Sequence, residues 1–264
     1  MRRMVFVFLA AIFVSVAAPH AAAQKLLPKS IQFQDDSEYS DAELLATAGL
    51  KKGVVLDYAA MQNCSKRLLA TGVFATVAFR IDGQNVIFML TPAADLFPVQ
   101  IENLPLTPGK ELDQKIHDWV PLYHGKVPAE GGLADDVGVA LQKILASEGL
   151  QVTVTATTAV DPSTQEVKAV SYAITSLPVK VGLASVEGVS DEFQSQVQAV
   201  FTEAARNPFS TTDSAANLER ALKQFYGDHG YSAARIVVTY FGNPRMESRA
   251  IVVPLAIRVE EGHR

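Results

Sequence analysis

Leu68-Leu69-Ala70-Thr71-Gly72-Val73-Phe74 is the stretch of this 264-residue chain that decides its fold. A leucine-bearing helical run enters a glycine, and a run of bulky residues begins at once. Glycine adopts the left-handed conformation at no steric cost, so it closes a helix and lets a strand start close by. The arrangement returns at Leu145-Ala146-Ser147-Glu148-Gly149-Leu150 and at Phe225-Tyr226-Gly227-Asp228-His229-Gly230-Tyr231. Leu68, Leu145 and Tyr226 each stand four residues before the closing glycine. The three glycines recur roughly 80 residues apart, and such a period governs the architecture.

Working outward from Gly72, Ser30 to Gln34 reads as a strand. Ser40-Asp41-Ala42-Glu43 is a capping box, in which serine accepts an orphan helix amide and glutamate reaches back. Leu44, Leu45 and Ala48 follow, and Gly49 stops that helix. Asp57 caps a second helix with an apolar stripe of Tyr58, Met61, Cys64 or Ser65, and Leu68. Val73 to Ile81 and Val86 to Leu90 are strands around an Asp82-Gly83 turn. The order is β-α-α-β-β.

The second unit gives the same order. Pro98 to Glu102 is a strand, and Leu112, Ile116, Trp119 and Val120 form one helix face read as core. Tyr123 to Gly132 is a loop, and Val137, Leu141, Ile144 and Leu145 mark the next helix. Gln151 to Ala156 and Val170 to Ile174 alternate as strands about Asp161-Pro162-Ser163. In the third unit, Val179 to Val186 is a strand and Ser190 a helix cap followed by Asp191 and Glu192. Phe193, Val197, Val200 and Phe201, then Leu218, Leu222, Phe225 and Tyr226, are two helix faces. Ile236 to Phe241 is a strand, Gly242-Asn243-Pro244 the turn, and Ile251 to Val259 the last strand. The expected fold class is α+β, with tandem modules at 24–96, 97–176 and 177–264, each two helices on a three-stranded mixed sheet.

The glycine-closed second helices, with Tyr39-Ser40, Leu44-Leu45 and Gly49-Leu50 in the first, resemble POTRA (polypeptide-transport-associated) domains. The resemblance covers nearly all of the chain after its first residues. It implies periplasmic modules like the arms of BamA- and TamA-like outer-membrane proteins, which fold or move other chains. The implied partners are unfolded outer-membrane proteins or an outer-membrane barrel protein, with membrane association through partners. Those arms precede a β-barrel, whereas only one hairpin follows Gly230 here. A stand-alone arm, a truncated arm, or an envelope or cell-division scaffold of the FtsQ type are the readings this leaves.

The first residues read as a leader. Arg2 and Arg3 precede an apolar run from Met4 to Ala18, Pro19 and His20 break it, and Ala21-Ala22-Ala23 suits a signal peptidase. The expectation is a signal peptide over 1–23, export to the periplasm and association with the outer membrane. The formal net charge of -5 offers no basic stripe for a nucleic acid. Cys64 is the single cysteine, so it makes no internal disulfide and reads as a small buried hydrophobe.

No enzyme, cofactor, metal or small-molecule substrate is expected. His117 and His124 are seven residues apart, with Pro121 between, whereas a metal pair on one helix wants i and i+4. They read as solvated or loop histidines, and His229 as a cation at a helix end. Asp35-Asp36 with Glu38 lacks calcium-loop spacing, and Gly109-Lys110 lacks the rest of a phosphate loop. Asn63-Cys64-Ser65 matches a glycosylation sequon in mid-helix and is discounted. Open sheet edges are the expected working surface, because an extended chain can pair with them. The partner-binding strand expected is Ile236, Val237, Val238, Thr239, Tyr240 and Phe241.

Overall fold

The structure is a computed structural model and describes residues 25–34, 38–240 and 242–263. The expected leader, Asp35-Asp36 and Phe241 lie outside the described residues. The first unit contains β1 (Ser30–Gln34), α1 (Asp41–Ala48), α2 (Tyr58–Ala70), β2 (Phe74–Asp82) and β3 (Asn85–Pro92). The second contains β4 (Phe97–Ile101), α3 (Lys110–Trp119), β5 (Lys126–Val127), α4 (Gly132–Ser147), β6 (Val154–Val160) and β7 (Val167–Ile174). The third contains β8 (Val179–Glu187), α5 (Gln194–Ala204), α6 (Ser214–Asp228), β9 (Arg235–Tyr240), β10 (Arg245–Glu247) and β11 (Ala250–Glu260).

The fold is α+β, and one sheet plan appears three times. The last strand of each unit lies in the middle, parallel to the first and antiparallel to the one before it. β3 sits between β1 and β2, β7 between β4 and β6, and β11 between β8 and β9. The parallel pair needs a long crossover, which the two helices supply. Two short strands add to the expected three. β5 pairs with Phe97 and Pro98 inside the stretch read as loop, and β10 pairs with the start of β11.

The glycine stops take the expected form. Gly72, Gly149 and Gly230 have φ of 78°, 87° and 88°, and Leu68, Leu145 and Tyr226 are fully buried. Leu150 and Tyr231 donate their N–H groups back to the carbonyls of Leu145 and Tyr226, both at 2.9 Å. Such bonds satisfy carbonyls a helix end leaves open. The first unit reaches that end through a side chain. The Thr71 hydroxyl donates to the Leu68 carbonyl at 2.6 Å and accepts the Val73 N–H at 3.2 Å.

Helix starts are less uniform. Ser40 and Glu43 form the capping box, and Asp57 accepts the Ala60 N–H at 2.7 Å. Ser190 does not cap α5. Its N–H donates to Glu261 at 2.8 Å, its carbonyl accepts from Phe193, and the helix begins only at Gln194. Met61, Cys64 and Leu68 form the buried stripe of α2, while Tyr58 is exposed and packs its ring 5.4 Å from Phe79. Trp119 also departs from the expected core: α3 buries Leu112 and Ile116, and Trp119 lies exposed with the Lys143 ammonium 4.2 Å from its ring centroid.

The third hairpin turns later than the Gly242-Asn243-Pro244 signal predicts. The chain leaves the ladder there, resumes as β10 and reverses at Ser248 and Arg249, both with positive φ. This excursion accommodates a proline in a central strand. Tyr240 pairs with Leu255 and Arg245 with Val252, so Val253 and Pro254 face the excursion rather than a paired strand. The missing N–H of Pro254 therefore removes no bond on that side.

The units are not beads on a string. One buried core runs from Leu44 and Phe88 through Leu141 and Tyr172 to Val179, Phe209 and Ile251, while a second fills the rest of the third unit around Phe193 and Tyr226. At the first junction the end of α2 meets the start of α4, and Leu133 donates its N–H to the Thr71 carbonyl at 3.1 Å. A Cβ on Gly131 would lie 2.8 Å from the Gly72 Cα and from the Thr71 carbonyl oxygen. Gly131 also has φ 118° and ψ 166°, a region essentially restricted to glycine.

Gly131→Ala should cost more than about 2 kcal/mol, because backbone conformation and backbone contact both oppose the methyl. Gly149→Ala, with nothing within 4 Å of the added Cβ, should cost only about 1 kcal/mol. Denaturant unfolding of the two variants checks the order. Arg249→Gly should raise stability by about 1 kcal/mol by relieving a positive φ at a hairpin turn, read as an increase in melting temperature.

Candidate functional site

β9 is built to have one finished side and one open side. Ile236 and Val238 are buried in the third core, and Val237 between them is 52% exposed. One edge pairs with β11 from Arg235↔Glu260 to Tyr240↔Leu255. Among the described residues no strand pairs with the other edge. In an antiparallel ladder alternate residues turn their N–H and C=O outward, so this edge carries unpaired donors and acceptors. The expected strand Ile236 to Tyr240 is thus an edge strand, with Phe241 outside the described residues. Among the described residues the other sheets also end on strands unpaired on one side, β1 and β2 in the first and β5 and β6 in the second.

The C-terminal end of β9 is tied to the second unit through Thr211. This buried residue donates its N–H to the Glu102 carbonyl at 2.7 Å and its hydroxyl to the Leu104 carbonyl at 2.6 Å. Its own carbonyl accepts the Tyr240 hydroxyl at 2.7 Å. Burial and then the charge of Asp213 push the Tyr240 phenol above its ordinary range, keeping it the donor that this contact needs. The Tyr240 ring stands edge-on to Phe209 at 5.9 Å, and Phe209 donates its N–H to the Val179 carbonyl of β8. A hollow of about 380 Å³ opens beside this end of β9, lined among others by Leu106, Pro108, Phe209, Tyr240 and Val253. The sequence offered no sign of it, because its walls come from segments more than a hundred residues apart.

Solved structures similar to the chain include POTRA1-3 of the periplasmic domain of Omp85 from Anabaena. It shares 13% identity, over 90% of this chain and 97% of that one, with a TM-score of 0.28. The N-terminal domain of Omp85 from Thermosynechococcus elongatus gives 15%, 90%, 98% and 0.29. BamA POTRA3-5 of Haemophilus influenzae gives 12%, 90%, 98% and 0.26. No family model matches the chain, and no curated protein matches it. Apart from the short strands β5 and β10, each unit of this chain runs β-α-α-β-β.

A second constellation lies at the first junction. The histidines judged too far apart in sequence stand with ring centroids 5.6 Å apart, because α3 ends after His117 and the following turn brings His124 back beside it. Glu43 of α1 joins them, its Oε1 accepting from His117 Nε2 at 2.8 Å and from His124 Nε2 at 3.0 Å. Burial alone would raise the Glu43 carboxyl, but hydrogen bonds from His117, the Ser40 N–H, His124 and the Ser40 hydroxyl outweigh it and hold it at about 2. Glu43 read as half of a capping box and nothing more; its second partners come from another unit and leave no local trace in sequence. His229, by contrast, stays at the α6 end, its Nδ1 2.7 Å from the Phe225 carbonyl.

Thr211→Val keeps the shape of the buried strap but removes its hydroxyl, leaving the Leu104 carbonyl without that partner. The expected loss is about 1–3 kcal/mol, measured by denaturant unfolding against Thr212→Val, whose side chain is exposed.

Proposed function

We propose that the chain is a non-catalytic, exported array of three polypeptide-binding modules, divided near residues 96 and 176. It works in the periplasm beside the outer membrane, in outer-membrane protein assembly or polypeptide transport. Its clients are extended segments of unfolded outer-membrane proteins or of an outer-membrane barrel protein, bound by β-augmentation. The observation that carries this reading is the open edge of β9, a strand paired with β11 on one side, anchored at its C-terminal end and unpaired on the other side among the described residues.

Physically, backbone pairing gives affinity with little sequence preference, which suits a module that meets many clients. Side chains of an added strand alternate between the two sheet faces. On one face they meet exposed Val237, and at the end of the strand they reach the hollow beside Phe209 and Tyr240, whose walls are part apolar and part polar. The Thr211 strap keeps that edge from shifting relative to the second unit, so the client finds a preformed template.

Val237→Pro and Val238→Pro test this directly. Of two adjacent residues one turns its N–H toward β11 and the other outward. Proline at the inward position damages the ladder and lowers the melting temperature. Proline at the outward position should leave folding nearly intact and weaken binding of an unfolded outer-membrane barrel protein, diluted from urea, by about tenfold, the value of one hydrogen bond at a preorganised edge. Unchanged affinity in the well-folded variant removes β9 as the pairing edge.

A further inference from the structure

We propose that Glu43, His117 and His124 form a binding site for a divalent transition-metal ion of the zinc type, placed so that the ion joins the first unit to the second. The three ligand atoms lie within 4.8 Å of one another. Two imidazole nitrogens and one carboxylate oxygen, with positions left for water, make a donor set suited to zinc and its first-row neighbours rather than to magnesium or calcium.

The carboxylate is prepared for the task. Its Oε2 accepts the Ser40 N–H at 2.7 Å and the Ser40 hydroxyl at 2.9 Å, so the capping box fixes its plane and leaves Oε1 to the imidazoles. The rings are held as well: His124 stands edge-on to Tyr39 at 5.1 Å, and its Nδ1 faces the Glu38 carboxylate at 3.9 Å. Ligating histidines usually turn their second nitrogen toward such a carboxylate.

The ion takes the place of two hydrogen-bonded protons. Tetrahedral coordination at about 2.1 Å sets ligand atoms about 3.4 Å apart, so the present separations of 2.8 and 3.0 Å must open by roughly half an ångström. In the metal-binding tautomer each ring carries its proton on Nδ1 and presents the Nε2 lone pair to the ion. The site opens to solvent, with the His117 and His124 side chains 33% and 28% exposed and Glu43 15%. Lys110 borders the open cleft around Glu43, His117 and His124 and opposes a cation there. Glu38, Glu43 and Asp113 outweigh it in charge, though Asp113 is already engaged by the Tyr123 hydroxyl at 2.8 Å. This site does not rest on the polypeptide-binding reading, and neither stands or falls with the other.

The experiment is titration of the full chain, free of any polyhistidine tag and stripped with EDTA, with zinc chloride and separately with magnesium chloride. One zinc per chain should bind, the melting temperature should rise with zinc, and cobalt(II) should give a visible absorption band. His117→Gln/His124→Gln, compared in EDTA for folding, should weaken zinc binding by at least about tenfold and abolish the thermal shift. Glu43→Gln, which can still complete the capping box, is the second variant should the first not fold, with the same weakening expected. Zinc binding that is equal in the folded variants, no zinc binding to the wild type at about 100 μM, or equal binding of magnesium overturns the proposal.

Discussion

The close approach of two backbones, at Thr71-Gly72 and Gly131-Gly132, is the constraint on which the rest of the arrangement depends. A side chain on Gly72 would meet the Glu130 carbonyl at 2.3 Å, and one on Gly131 would meet Gly72 itself. The approach lets the last carbonyls of α2 receive the first amides of α4, as the Leu133 to Thr71 bond does. Each helix end thereby supplies what the other lacks, and opposite ends of two helix dipoles meet. Once that contact is fixed, α1 and the turn after α3 are brought side by side, which sets Glu43 against the two histidines. The junction thus carries a backbone contact and a polar contact drawn from entirely different parts of the units.

The second junction solves the same problem by other means. No paired glycines are involved; one threonine bonds with its N–H, its hydroxyl and its carbonyl. Phe209 and Ile251 extend the central core under the third unit, so apolar burial and a polar strap act at the same place. The prolines at Phe97-Pro98 and Leu177-Pro178 are secondary in this arrangement. Pro98 sits in β4, opposite Lys126, and the Pro178 carbonyl accepts from Ile251. Pro98 is part of a paired strand, and Pro178 is tied to β11 directly ahead of β8.

What sequence showed and what it hid divide along a physical line. The glycine stops, the capping box, the Asp57 cap and the alternating last strand depend on neighbours within a turn or a strand, and each was legible. Gln151 to Ala156 was misplaced toward the helix, with β6 beginning at Val154, because strand ends depend on what the partner strand offers. Trp119 and Tyr58 fit a helical period yet face outward, since periodicity reports a stripe and not its width. Ser190 has the chemistry of a cap, but Glu261 takes its N–H from the far end of the unit. The turn at Ser248-Arg249 used no turn-forming glycine at all, and the earlier Gly242-Asn243-Pro244 signal drew the reversal to the wrong place.

The same division explains why the two sites differed in legibility. Ile236 to Tyr240 could be named as a strand from its alternation, whereas which of its edges is open depends on the sheet order, which sequence did not show. The Glu43, His117 and His124 cluster is a property of a junction, and spacing along the chain says nothing about it. The histidines were read as a pair on one helix, and helical spacing bears only on groups that a single helix presents. Where tandem units pack through continuous cores, a polar cluster at their contact draws its groups from different units and constrains how the units are set against each other.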